Sequence, residues 1–342
     1  MKYEPLCREE LIRVIEGRGT AERVPMFVHF WTHPEEFEPT KGRAVAELLA
    51  EYPQDAQIIP LRIPSVYDAP ADNPSYRWSF RDKPAFGGIT YDNAGFIEDW
   101  DRDLQPLLAD FPSADYPKLI SEAPAPDGRY RLGTWWYFFF ERFWSMRGME
   151  NTLYDFYDRP DAVHALFRRL CDFYKRVLER GKRELNLDGV FTSDDLGTQT
   201  STFFSTEIFD EFFAPYYKEV IGCAHDLGMH FWLHACGNIS SLIPRLIDLG
   251  VDVLHPIQKY TMDEREIARK YGGQIAIWAG FDVQRIIPYG TPEEVRREVR
   301  YLFDTYARPD GRFLFTLGNN ATPDTPPESL KALLEEAFSH RI

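Results

Sequence analysis

Between residues 160 and 338 the chain alternates between short apolar runs and amphipathic stretches of helical period, and this rhythm limits the fold more than any other feature. From Pro160 to Glu184, the residues Val163, Leu166, Phe167, Leu170, Phe173 and Leu178 recur on one helical side. A strand over 188–192 follows, then a helix capped by Ser205 or Thr206, with Phe209, Phe212, Phe213, Tyr216 and Val220 inside and a kink at Pro215. The run Met229 to Leu233 reads as a strand leading into His234 and Cys236, and the next helix opens at Asn238 and closes at Gly250. Strands over 251–257, 275–280 and 312–317 are separated by a helix over 263–271 and by the helix start Thr291-Pro292-Glu293-Glu294. Thr325-Pro326-Pro327-Glu328 repeats that start chemistry for the last helix.

Strands alternating with helices mean βαβ units and a parallel sheet. At least five units here, with upstream strands over 24–30, 58–63 and 129–139, sum to about eight. The expected architecture is α/β, a single (β/α)8 TIM barrel spanning 1–342. Residues 65–128 are rich in Pro, Asp and aromatics, weakly periodic and too long for an ordinary connection, so they are expected to form an insertion, a hairpin and short helices over the barrel mouth.

In such barrels the active site lies where the strands end. Successive strand exits carry Asp194-Asp195, His234 with Cys236, Gln258, Asp282 and Asn319-Asn320, a concentration of polar groups that points to a site at the mouth. His234 and Cys236 stand two residues apart on an extended chain, so they share a side and suit a thiophilic metal such as zinc. Read alone, the pair is equally a buried histidine beside a small buried cysteine. Asp194 and Asp195 are candidates for acid/base work or metal support, against the alternative that one of them caps a helix. Gln258 and Asn319 suit hydrogen bonding to a substrate amide or carbonyl. Glu141 and His29 sit near the exits of the early strands and are expected at the same mouth, with Trp31 and Tyr137 beside them.

A net charge of −15, from 39 basic and 54 acidic residues, argues against nucleic acid or an anionic membrane surface as partner. The four cysteines show no paired spacing; Cys171 and Cys223 fall in apolar helical patterns and read as core. The start Met1-Lys2-Tyr3-Glu4-Pro5 is no signal peptide and no apolar run approaches the ~20 residues of a membrane span, so a reduced, cytoplasmic setting is expected. Aromatics make up 15% of the chain, concentrated at 130–160 and 203–217, enough for a core or for a pocket taking a flat apolar ligand.

The run Leu233-His234-Ala235-Cys236-Gly237-Asn238-Ile239, with Leu249-Gly250-Val251-Asp252 and Pro256-Ile257-Gln258, resembles the uroporphyrinogen decarboxylase superfamily. Asp194-Asp195-Leu196-Gly197-Thr198-Gln199 and Thr322-Pro323-Asp324-Thr325-Pro326-Pro327-Glu328 carry the same resemblance, which covers roughly 185–338 and is closest to the corrinoid-dependent methyltransferases. True decarboxylases of that family carry an arginine-rich N-terminal segment; the stretch here is Phe27-Val28-His29-Phe30-Trp31-Thr32-His33-Pro34, without arginine, so decarboxylation of a polycarboxylate tetrapyrrole is not expected. The resemblance implies zinc held by His234 and Cys236. Where the family's second zinc-binding cysteine would fall, this chain has Gly318-Asn319-Asn320-Ala321, which leaves Glu141, Asp194 or Asp195 to complete the shell.

The resemblance also implies a function: transfer of a methyl group from a small donor, such as an aryl methyl ether, to the cobalt of a cobalamin-type corrinoid on a separate protein. Catalytic work would then fall to Asp194, Asp195 and Glu141, and substrate contacts to His29, Trp31, Tyr137, Gln199, Gln258, Asp282, Asn319 and Asn320. The alternatives are a cofactor-independent decarboxylase or lyase using Asp acid/base chemistry, and a non-catalytic binding protein. A homodimer is compatible with each.

Overall fold

The computed structural model describes residues 3–81, 95–120 and 123–340. Seven strands form one parallel sheet in sequence order: β1 (Ala56–Pro60), β2 (Tyr130–Thr134), β3 (Gly189–Ser193), β4 (His230–His234), β5 (Val253–His255), β6 (Ala276–Phe281) and β7 (Phe313–Leu317). Helices alternate with the strands from the helix Pro160–Leu185 onward, giving a TIM-barrel-like architecture. Among the described residues no helix is long and apolar enough to cross a membrane.

The eighth barrel position departs from expectation. In place of a strand over 24–30, one parallel bridge joins Met26 to Phe315, and a 3-10 turn begins at Val28. Pro25 has no N–H to give; toward the β7 backbone this segment offers the Pro25 carbonyl, which accepts from Phe315 N, and the Phe27 N–H, which donates to Phe315 O, and on the other side Met26 O accepts from Asp55 N. Asp55, fully buried just before β1, supplies the missing fixation. Its carboxylate accepts from Met26 N at 2.7 Å and Leu6 N at 2.9 Å and takes two bonds from Arg23 at 2.6 and 2.7 Å. An ion pair and two backbone amides thus close a seam that a ladder does not.

The β3–β4 register sets the inner layers. Phe191 pairs with Trp232 and Ser193 with His234, while β4–β5 pairing sets His234 beside His255. Phe27, Phe191, Trp232 and Trp278 meet edge to face with centroids 5.2–5.5 Å apart. This aromatic plug fills the barrel interior one layer beneath the polar groups, each large ring contributing about 1.5–3 kcal/mol by burial.

Residues 82–94 and 121–122 of the expected insertion lie outside the described residues. The described part holds the helix Trp100–Ala109 and packs on the flank of the helix Pro160–Leu185: Trp78 meets Phe173, and Arg180 donates to the carbonyls of Ala114 and Tyr116. Ser205 caps its helix as expected, and a π turn, Phe209–Phe213, lies just before Pro215.

Candidate active site

At the exits of β3 and β4, ligand atoms of Asp195, His234 and Cys236 lie within 4.8 Å of one another. Cys236 Sγ is 3.1 Å from His234 Nε2, which is 3.4 Å from Asp195 Oδ1; the same carboxylate oxygen accepts from Cys236 N at 2.8 Å. The strand period explains the grouping. Ser193 faces inward beside His234, so Asp195 continues on the inner side and Asp194 turns out.

A second histidine fixes the first. His255 Nε2 lies 2.9 Å from the Leu317 carbonyl, which only accepts, so this nitrogen carries the proton. Burial holds both imidazoles neutral, lowering His234 and pulling His255 well below the ordinary histidine range. His255 Nδ1 is therefore the acceptor in its 2.8 Å contact with His234 Nδ1, which donates. His234 Nε2 is left with a bare lone pair aimed at Cys236 and Asp195. Trp31 stacks on His255 at 4.8 Å and lies 5.4 Å from His234, locking both rings. Burial, then Asp195, pushes the Cys236 thiol well up, so in the free site the S–H supplies the proton to Nε2. An imidazole lone pair, a sulfur and a carboxylate oxygen converging at these distances are a donor set that fits zinc.

Glu141 accepts from Ser193 Oγ and is buried; desolvation, then Asp195 and Asp194, raises its carboxyl far above the usual range and favours the protonated acid. Asp194 has a structural job. It accepts from Tyr217 OH at 2.5 Å and from the amides of Phe139, Phe140 and Glu141 at 2.8–3.2 Å, capping the helix Phe140–Arg147. Burial pushes it up to about 6 against those bonds. Asp282 caps in the same way, accepting from the amides of Gln284 and Arg285 and from Tyr260 OH.

Gln258 accepts from Gly237 N at 2.6 Å, pinning the loop behind Cys236, and with Asn319 lines a small cleft beside that cysteine. Asn320 and Gln199 are exposed. His29, Phe30, Trp136, Tyr137 and Arg142 line a larger cleft of about 510 Å³, floored by Ile58 and Pro60 of β1. Trp136, whose centroid is 6.0 Å from that of His234, is the wall shared with the ligand triad. His255 and Arg142 were not singled out by the sequence reading; the signal for His255 was a histidine one strand over from His234 in the same layer.

A parallel barrel with polar and metal-type donors at its strand exits defines the class of TIM-barrel-like enzymes. Within it, the family model "Uroporphyrinogen decarboxylase (URO-D)" matches residues 143–340, and the chain belongs to that family. It is 24% identical over 187 residues to a uroporphyrinogen decarboxylase of Dechloromonas aromatica, covering 54% of this chain and 50% of that protein. A second, from Methylococcus capsulatus, is 26% identical over 188 residues, covering 52% and 49%. The chain thus matches about half the length of these curated relatives. Among solved structures it is similar to a methyltransferase from Methanosarcina mazei, with TM-score 0.64 and 14% identity over 98% of this chain and 99% of that one, a likeness of fold.

Proposed function

We propose that the protein is a methyltransferase that takes a methyl group from an aryl methyl ether and gives it to the cobalt of a corrinoid on a separate protein. The observation that carries this reading is the Asp195–His234–Cys236 triad, with its fixed imidazole tautomer, standing against an aromatic-walled cleft. Asp195, His234 and Cys236 would be the residues to hold zinc, their three donors matching the protein-ligand count of a catalytic site, with Asp195 where the family's second cysteine would stand. Zinc held there would supply Lewis acidity at an ether oxygen. The chain's own residues do the rest: Trp136 and Tyr137 of the cleft hold the ring, Trp31 and His255 hold His234, and Glu141 is the acid that protonates the departing phenolate. In balance, the carbon–oxygen bond breaks with its electron pair left on oxygen, and the new carbon–cobalt bond uses the electron pair of cobalt(I). The exposed polar rim of Gln199, Asn319 and Asn320 is where the acceptor protein would dock.

A second reading, a metal-free decarboxylase or lyase, is favoured by the buried Glu141 carboxyl, which accepts from Ser193 Oγ and is raised by desolvation and then by Asp195, a candidate acid that needs no metal. Metal content by mass spectrometry of the chelator-free protein separates them. About one zinc per chain, absent from His234→Ala, supports methyl transfer. Metal-free protein that still turns over a carboxylated substrate supports the second reading.

A further inference from the structure

Five consecutive amides, from Tyr137 to Glu141, are taken by two residues at the exit of β3. Trp135 N donates to Phe191 O at 3.1 Å, so a continued parallel ladder would bring Tyr137 N to Ser193 O. Instead Phe138 N reaches that carbonyl, at 2.8 Å, and Tyr137 N donates to the Ser193 hydroxyl at 3.1 Å. The amides of Phe139, Phe140 and Glu141 then fall to Asp194. The segment past β2 therefore holds one residue more than β3 between the same two rungs, as at a β-bulge. Bulges gather at barrel rims and beside active sites, where they re-aim side chains. Here the extra residue comes at Trp136 and Tyr137, both of which line the aromatic cleft.

Tyr137 carries the strain. Its φ is 68°, left-handed backbone that glycine takes freely and a bulky residue rarely does. Such strain persists only where the surroundings over-determine it. On one side Tyr174 OH donates to the carbonyls of Tyr137 and Phe138 at 3.0 and 2.7 Å. On the other, the Ser193 hydroxyl accepts from the Tyr137 amide.

That hydroxyl has a second task. It is buried, and its single proton goes to Glu141 Oε2, its one acceptor among the described residues. It is also the one hydrogen-bond partner of the Glu141 carboxyl among those residues. Because Oε2 accepts, a proton carried by this carboxyl sits on Oε1. One hydroxyl thus joins the two ends of segment 137–141: the strained backbone of the cleft wall and the carboxyl of the acid. Alanine in its place would leave an amide without an acceptor and a buried carboxyl without a donor.

We infer that Ser193 is a positioning residue whose hydroxyl ties the Glu141 carboxyl to the extra residue of the cleft wall, so that the acid and the aromatic wall keep their places together. The acid role rests on the methyltransferase reading; the tie rests on the hydrogen bonds alone.

Amide hydrogen exchange at Tyr137 of the full chain, followed by NMR with the Trp135 amide as reference, reads the tie without any substrate. Ser193→Ala is expected to speed exchange at Tyr137 about 10- to 100-fold, and Ser193→Thr, which keeps the hydroxyl, to restore it. The decisive variant is Glu141→Leu, which leaves the Tyr137 amide and its acceptor in place and removes the acceptor of the hydroxyl proton. Exchange at Tyr137 should rise about 5- to 10-fold there and stay near wild type in Glu141→Gln, whose amide oxygen still accepts. Unchanged exchange in Ser193→Ala or in Glu141→Leu overturns the assignment; if Glu141→Leu does not fold, Glu141→Ala decides. Methyl transfer reports separately. Ser193→Ala should lower kcat about 10- to 100-fold in the wild type but less than about 3-fold when added to Glu141→Gln, because it acts through that carboxyl. Losses that simply multiply overturn the tie. Exchange that behaves as expected in a protein that transfers no methyl group removes the acid role and keeps the tie.

Discussion

The two walls of the candidate site are built differently. The ligand side, Asp195, His234, Cys236 and His255, stands on or just past strands whose ladders fix each position, and all of it lies inside the family match at 143–340. The cleft side runs from His29 to Arg142, all of it before residue 143, on a 3-10 turn, the exits of β1 and β2 and a helix start. Side chains that must meet at fixed distances are carried by paired strands. Those that shape a pocket sit on irregular backbone, where changes of shape cost the barrel little. The division is one of scaffold: the candidate metal ligands stand on the regular side, while the cleft lining and the buried Glu141 carboxyl come from the segment before residue 143.

The sharpest way to break that division is His234→Ala. Zinc is expected to vanish from the purified protein and methyl transfer to fall about a thousandfold, while the melting transition stays near wild type. Retained turnover would remove the triad from the mechanism. Next in size is the seam that holds the irregular side to the regular one. Asp55→Ala leaves Arg23 buried and unpaired and frees Met26 N, so urea unfolding should show a loss of about 3–5 kcal/mol. Asp194→Asn sets an amide against four donors at a helix start, and a loss of about 2–3 kcal/mol in stability is expected. A variant of normal stability with reduced kcat would instead restore Asp194 as an acid or base. The smallest effect belongs to His255→Phe, which keeps a ring beside Trp31 but removes the acceptor for His234 Nδ1. Zinc affinity measured by chelator competition should drop about 10- to 100-fold, and nitrogen NMR should show the His234 tautomer no longer fixed.

Much of the regular half was legible. Thr291 and Glu294 form the reciprocal cap that their spacing announced, and Gly250 takes the positive φ of 93° that a helix-ending glycine favours. The last helix begins at Pro327 with Thr325 buried rather than capping, because two consecutive prolines hold the chain extended one step longer than the motif suggested. The eighth strand was misread for a related reason: apolar residues over 24–30 have strand propensity, but one proline and an early 3-10 turn leave too few N–H groups for a ladder. Asp194 and Asp195 looked alike as a dipeptide at a strand exit. Only the register, with Ser193 opposite His234, decides that one faces the ligands and the other a helix start.

The sequence alone determined the α/β rhythm, the strand that carries His234 and Cys236, and the family, because each depends on local periodicity or on a contiguous motif. The tertiary structure decided what depends on contacts between distant segments. Asp195 stands beside His234 and Cys236, and His255 aims the imidazole, facts that arise from residues 41 and 21 positions apart being brought together by a curved parallel sheet. Spacing along a chain fixes which side a residue faces; it does not fix what stands opposite.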